Sequence, residues 1–235
     1  MVVPNSRLDR FGFDTWYVER LNPTRFEEHH IRGNSVKVLY ETPYDGFTYG
    51  CSPKDTMHLL SHVPNDDCYH IEFIIFHQPT RKQIQLDSAW GRLWYYANFG
   101  KYGSGPAIYL EAQEINSQIK WSRKLNLEGQ AELKRLREDG HLIDETKRDF
   151  IITLREKTIR NTVLYRTLLH ELGHWAQYDK DFLDEDTALS TDSDVAYELY
   201  FAKPQIEHEQ FAHRYASEVG DQLRLSGVIP FEALK

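Results

Sequence analysis

Two histidines and a glutamate stand close together in residues 167–176, which read TLLHELGHWA. His170 and His174 are four positions apart, so on a helix they lie on one face, with Cβ atoms about 5–6 Å apart. Two imidazoles at that separation can bind one metal ion. Glu171 projects about 100° around the helix from His170, where its carboxylate can reach a water on that metal. The spacing therefore predicts a metal-activated water with Glu171 as the general base.

The surroundings of this motif favour a metal site. Leu168, Leu169, Leu172 and Trp175 make the predicted helix apolar, and such a helix is expected to be buried. Burial of two histidines and a glutamate costs free energy unless they are paired or bound to a metal. The alternative is a core helix with hydrogen-bonded histidines at its rim. We expect Zn²⁺, which lowers the pKa of a bound water to about 7.

A catalytic zinc ion usually has three protein ligands and keeps one position for water. The last predicted helix offers Glu207, His208, Glu209 and His213. Helix periodicity places Glu209 nearer than Glu207 to the apolar side of that helix, and His208 nearer still. From the residues alone, Glu209, His208 and Glu207 all remain candidates for the third ligand.

The motif resembles the extended consensus of zincin metallopeptidases, with Thr167 three positions before the first histidine and Gly173 directly before the second. Residues 209–216 read EQFAHRYA and resemble the ligand segment of gluzincins of the ImmA/IrrE and CAAX-prenyl-protease-like groups. In those groups the leading glutamate binds the metal, which implies Glu209, 209 − 174 = 35 residues after His174. The resemblance implies a peptide or protein substrate.

Other parts of the site follow from the expected reaction. A donor to the oxyanion is needed, and we predict Tyr215 as this catalytic residue, with Tyr178 and His213 as alternatives. An extended substrate can pair with a sheet edge, and we predict that residues 107–112 form that strand. The acidic stretch 179–194 is expected to form part of the cleft rim and to favour basic substrates.

The elements that must position these residues form an α+β pattern. In the first half of the chain, apolar and polar residues alternate in several segments, and many of these residues are β-branched or aromatic. The second half has the composition of helices. We predict one zincin-like metallopeptidase domain over residues 1–235, rich in mostly antiparallel or mixed sheet to about residue 120 and helical from about residue 121. The predicted strands are 35–40, 70–77, 83–86 and 107–112, with 91–99 ambiguous; the predicted helices are 127–137, 145–178 and one from Pro204 to about Leu223.

Composition and net charge argue against some other classes of protein. The chain has 235 residues, a formal net charge of −8 and a pI of about 5.8. This charge argues against a dedicated nucleic-acid partner, because such binding depends on Lys and Arg contacts to phosphates. The chain has only two cysteines, and it has neither a signal-like start nor a long apolar run. These features predict a cytoplasmic protein without a membrane span. Export as an effector is the alternative.

The sequence therefore predicts a zinc-dependent hydrolase that cleaves peptide bonds. Two other functions stay open. One is a zinc-binding module without catalysis that regulates or binds a partner, and the other is a zinc hydrolase of a non-peptide amide. Both are less favoured, because a purely structural zinc site fills all four positions with protein ligands and has no use for Glu171.

Overall fold

The computed structural model of the protein has a mixed five-stranded sheet near its N-terminus, followed by a smaller sheet and helices. This is the α+β class that the sequence predicted. The structure describes residues 7–8, 14–15, 20–64, 66–68, 70–86, 88–183 and 200–234.

The strands of the described residues form four sheets. The five-stranded sheet has the order β3-β4-β6-β8-β7, and the three-stranded sheet has the order β10-β12-β11. Two short pairs, β1-β2 and β5-β9, complete the strands of the described residues. The strands are β1 (Arg7–Leu8), β2 (Asp14–Thr15), β3 (Arg25–Ile31), β4 (Asn34–Tyr40), β5 (Phe47–Thr48), β6 (Phe73–His77), β7 (Gly91–Asn98), β8 (Ser104–Glu111), β9 (Gln113–Glu114), β10 (Gln118–Ser122), β11 (Leu142–Glu145) and β12 (Asp149–Thr153).

The centre of the five-stranded sheet is fully buried. β6 pairs in parallel with both β4 and β8, and its first four residues, FIIF, have no solvent exposure. Strands buried on both faces read as continuous apolar runs, as this one does. One face of the sheet packs against the helices, through residues such as Ile74 and Ile108. The other carries a smaller cluster that includes Phe73 and Tyr109.

Six α-helices are described. They are α1 (Pro53–Leu60), α2 (Arg81–Leu86), α3 (Leu127–Glu138), α4 (Glu156–Thr162), α5 (Leu168–Tyr178) and α6 (Gln205–Leu225). α3 and α6 confirm the predicted helices to within about two residues, the usual uncertainty at helix ends. Within the described ranges, no helix combines the length and apolarity needed to cross a bilayer.

A π-helical turn joins α4 to α5. Val163–Thr167 forms this turn, and the helical backbone continues without a break into α5. A π turn holds about one residue more than an α-helical turn, and such turns often occur at functional sites. The residues of the turn are mostly buried, so the extra residue is accommodated inside the core.

Three predictions about individual elements are wrong. Residues 83–86 are helical rather than extended, because Thr80 and Gln83 cap α2 reciprocally, with Thr80 N bonded to Gln83 Oε1 at 2.7 Å. The predicted helix 145–178 begins only at Glu156, because the β-branched residues before it pair as β12 with β10 and β11. The half of the chain after residue 121 is therefore not wholly helical.

The third error concerns the sheet edge. Residues 107–112 fall largely within β8, which pairs with β6 on one side and β7 on the other. β8 is thus internal, and it cannot accept a further strand. The edge next to it is β7, the segment whose type the sequence left ambiguous.

Candidate metal centre

The two histidines of the motif lie one turn apart on α5. Their Nε2 atoms are 3.2 Å from each other, and both side chains are mostly buried. The helix continues through Tyr178 without a proline or a break, so the four-residue spacing fixes this arrangement locally.

Helix α6 brings a carboxylate to the same point. Glu209 Oε2 is 3.4 Å from His170 Nε2, and Glu209 Oε1 is 3.7 Å from His174 Nε2. One ligand atom from each of the three residues lies within 4.8 Å of the others. Tetrahedral bonds of 2.0–2.1 Å separate neighbouring ligand atoms by about 3.3 Å. The spacing and donor types of His170, His174 and Glu209 therefore fit a shared metal ion.

The other candidates for the third ligand have different surroundings. His208 Nδ1 lies 3.0 Å from Gln177 Oε1, and the His208 ring stacks on Tyr200 at 4.5 Å between centroids. Glu207 is exposed on α6. Neither residue belongs to the cluster of possible metal ligands found among the described residues.

Small residues allow α5 and α6 to approach closely enough for this cluster. A Cβ atom on Gly173 would lie 3.0 Å from the Cα of Ala212 and 3.0 Å from Cδ1 of Tyr215. Ala212 is itself fully buried. Because Gly173 lies directly before His174 and Ala212 lies three residues after Glu209, this contact controls the distance between the metal-binding groups.

We expect Gly173→Ala to weaken metal binding at least about 10-fold, because the added methyl overpacks the contact and moves the two helices apart. The matched control is Gly220→Ala on α6, where the new Cβ would meet only the flexible end of Arg224 at 3.2 Å and Leu169 at 3.7 Å. Both changes gain about 1 kcal/mol of helix propensity. Metal titration and chemical unfolding of both variants test this, and equal metal affinities would refute the role of the contact.

Glu171 lies beside the cluster and is only 8% exposed. Burial raises the pKa of its carboxyl to about 7, and the negative charge of Glu209 acts in the same direction. The neighbouring imidazole of His170 and a hydrogen bond from the backbone N–H of Leu93 lower that pKa in part. The carboxylate of Glu171 is thus held against β7, with a backbone donor to fix its orientation.

A glycine lets β7 come this close to α5. A Cβ atom on Gly91 would lie 2.6 Å from the carbonyl oxygen of Tyr109 and 2.7 Å from Cγ2 of Thr167. Any other residue at this position would push the strand away from the helix, and Leu93 would lose its contact with Glu171.

The protonation states of His174 and Glu209 suit metal binding. Burial, with the neighbouring imidazole of His170, lowers the pKa of His174, so the His174 imidazole is neutral at pH 7. The hydrogen bond from His170 lowers the pKa of Glu209, whose carboxylate is therefore ionised. A neutral imidazole and an ionised carboxylate are the forms that bind metals.

His213 lies at the open side of the cluster. Its ring stacks on His170 with 4.3 Å between centroids, and burial lowers its pKa to about 4. His213 and Glu209 line an open pocket of about 430 Å³ between α6, α3 and β10. The other lining residues are Trp121, Asn126, Glu128, Gly129, Glu132 and Arg135.

The structure does not bring Tyr215 or Tyr178 into an equivalent position. The Tyr215 hydroxyl donates a hydrogen bond of 2.6 Å to Asp67 Oδ2, so its proton is already engaged. Tyr178 is buried and packs against Trp175 at 5.5 Å between ring centroids. Of the three predicted oxyanion donors, only His213 lines the pocket beside the cluster.

Sequence reasoning missed Tyr95, which lies on β7 two residues after Leu93. Its ring stacks on Tyr178 at 4.7 Å, and its hydroxyl is 3.2 Å from that of Tyr200. The aromatic character of residues 91–99 was a signal, but it did not indicate which face of which element these rings would occupy.

The predicted acidic rim is described only in part. Asp179–Leu183 continues α5 as a second π-helical turn, and Asp181 forms an ion pair with Lys203 at 2.7 Å. Asp184, Glu185 and Asp186, with the rest of the stretch to residue 194, lie outside the described residues.

Comparison with known proteins does not assign the chain to a family. The chain matches no protein-family model, no curated protein and no solved structure.

Proposed function

We propose that the protein is a zinc-dependent peptidase. The observation that supports this proposal is the convergence of His170, His174 and Glu209 on one point, with the buried carboxylate of Glu171 beside them. A site with two imidazoles, one carboxylate and a neighbouring acid is typical of catalytic zinc. The gluzincin resemblance of both segments leads to the same proposal.

Each residue of the site has a separate role in the proposed hydrolysis. His170, His174 and Glu209 would hold the zinc ion, which would polarise the substrate carbonyl and make a bound water acidic enough to react near pH 7. Glu171 accepts a proton from the attacking water and delivers it to the departing amine. Leu93 keeps the Glu171 carboxylate in place through its backbone N–H.

Strand β7 is the element along which we expect a peptide to bind. It is the edge of the five-stranded sheet, and it contacts α5 beside the metal-binding residues. A sheet edge offers free backbone donors and acceptors to an extended chain. This favours a peptide or protein substrate over a small amide. The two free thiols, Cys51 and Cys68, agree with action in a reducing compartment such as the cytoplasm.

Metal analysis followed by digestion of a peptide library tests the proposal. We expect one zinc ion per chain and cleavage that stops with a chelator and returns when zinc is added. A metal-free protein would refute the zinc site. A zinc-loaded protein that cleaves no peptide would favour the zinc-binding module without catalysis. Cleavage of non-peptide amides alone would favour the zinc hydrolase of a non-peptide amide.

A further inference from the structure

Strand β7 contains a bulge next to the candidate metal centre. Trp94 pairs with Ala107 and Ala97 pairs with Gly105, so two residues of β7 stand opposite the single residue Pro106 of β8. Proline has no backbone N–H and cannot donate to the ladder, which favours an irregularity at this position. Bulges near active sites often redirect a side chain.

The two residues in the bulge, Tyr95 and Tyr96, have opposite environments. Tyr96 is 67% exposed, whereas Tyr95 packs against the main core on the helix side of the sheet. The Tyr95 ring contacts Tyr178 at 4.7 Å and Phe201 at 5.2 Å between centroids. This packing holds the ring in one orientation.

The position of Tyr95 is fixed relative to the proposed catalytic groups. Leu93, two residues earlier on the same side of β7, bonds to Glu171. Tyr178, which packs on Tyr95, lies one helical turn after His174. The Tyr95 side chain thus lies between β7, along which we expect substrate to bind, and the C-terminal part of the helix that carries the histidines.

The Tyr95 hydroxyl is also protonated at neutral pH. Burial raises the pKa of Tyr95, and the charges of Glu171 and Glu209 raise it further. The one hydrogen-bond partner of the Tyr95 hydroxyl among the described residues is the hydroxyl of Tyr200, at 3.2 Å. When Tyr200 donates to Tyr95, the Tyr95 proton is free for another acceptor.

We propose that Tyr95 donates a hydrogen bond to the carbonyl oxygen of the scissile amide as negative charge develops on it, with Tyr200 as the positioning residue. This inference rests on the proposed peptidase function. Tyr95 forms no covalent bond and keeps its proton, since it acts only as a donor. It takes the role that the sequence assigned to Tyr215, whose hydroxyl is bonded to Asp67.

Tyr95→Phe tests the inference, because it keeps the ring packing and removes only the hydroxyl. Loss of one oxyanion donor lowers kcat by about 10²–10³-fold, and we expect this loss with KM changed less than about 3-fold. Zinc content and thermal unfolding should match those of the wild type. Tyr44→Phe, which removes the hydroxyl of an exposed tyrosine outside β7, is the matched control and should keep full activity. Tyr200→Phe should cause a smaller loss, of about 10-fold.

Binding of a tetrahedral analogue gives a second measurement that does not depend on turnover. A phosphonamidate of the best-cleaved library peptide carries charged oxygens where the oxyanion would develop. We expect Tyr95→Phe to bind this compound about 100-fold more weakly than the wild type does, while Tyr44→Phe binds it normally.

The outcomes separate the two proposals. A zinc-loaded wild type that cleaves no peptide would overturn the peptidase function and this inference with it. An active wild type whose Tyr95→Phe variant keeps kcat and analogue affinity within 2-fold would overturn only the role of Tyr95. Loss of zinc or of folding in Tyr95→Phe would also overturn that role, since the hydroxyl would then support the structure.

Discussion

Replacing Glu171 with Gln should leave the zinc ion bound and lower kcat by about 10³-fold or more. The amide has nearly the same shape as the carboxylate, so the packing against β7 and the contact with Leu93 are kept. It cannot accept a proton from water, however, and a general base contributes about 10²–10⁴-fold to a rate. Because Glu171 is not among the three residues that can hold the metal, metal affinity should be unchanged.

Zinc stoichiometry and peptide hydrolysis, measured on the same preparation, check this expectation. Glu207→Gln is the control, since it removes an exposed acid from the neighbouring helix. Full activity of zinc-loaded Glu171→Gln would exclude Glu171 as the base. Loss of zinc from that variant would mean instead that Glu171 helps to bind the metal.

Glu209→Gln is expected to have the second large effect, a decrease of more than about 100-fold in zinc affinity. Loss of a residue that only supports a ligand costs about 10–100-fold, so loss of a ligand should cost more. The carboxylate also provides the negative charge that favours a cation between His170 and His174. Competition with a zinc chelator of known affinity measures the change.

Two matched variants identify the third ligand in the same experiment. Glu207→Gln and His208→Gln change the other two candidates, which lie on α6 within two residues of Glu209. We expect both to keep zinc affinity within about 3-fold, because His208 is bonded to Gln177 and Glu207 is exposed. If His208→Gln loses zinc while Glu209→Gln retains it, the proposed ligand set is incorrect.

Parts of the candidate site could be predicted because their geometry is local. The four-residue spacing of His170 and His174 determines their relation on any regular helix, and α5 is regular over both. Glu209 was different, since periodicity left His208 and Glu207 open. What brings Glu209 to the histidines is the close contact of α5 and α6 at Gly173, and helix periodicity alone cannot predict such a contact.

Other features of the fold and of the site depend on pairing between segments that are distant in the sequence. The α+β class could be predicted from composition and periodicity along the chain. The edge of the sheet could not be predicted in this way, because it depends on which strands pair, and the sequence does not show that β7 pairs with β8 at the edge. The role proposed for Tyr95 follows from that pairing, since the bulge opposite Pro106 exists only in the folded sheet.

The π-helical turn at Val163–Thr167 makes the candidate site tolerant of one particular change in chain length. Because this turn holds about one residue more than an α-helical turn, removing one residue from it should give regular α-helix and leave the direction of α5 nearly unchanged. Removing one residue between His170 and His174 would instead rotate the second imidazole by about 100° away from the first. A single-codon deletion within the turn should therefore keep metal binding, whereas one between the histidines should abolish it.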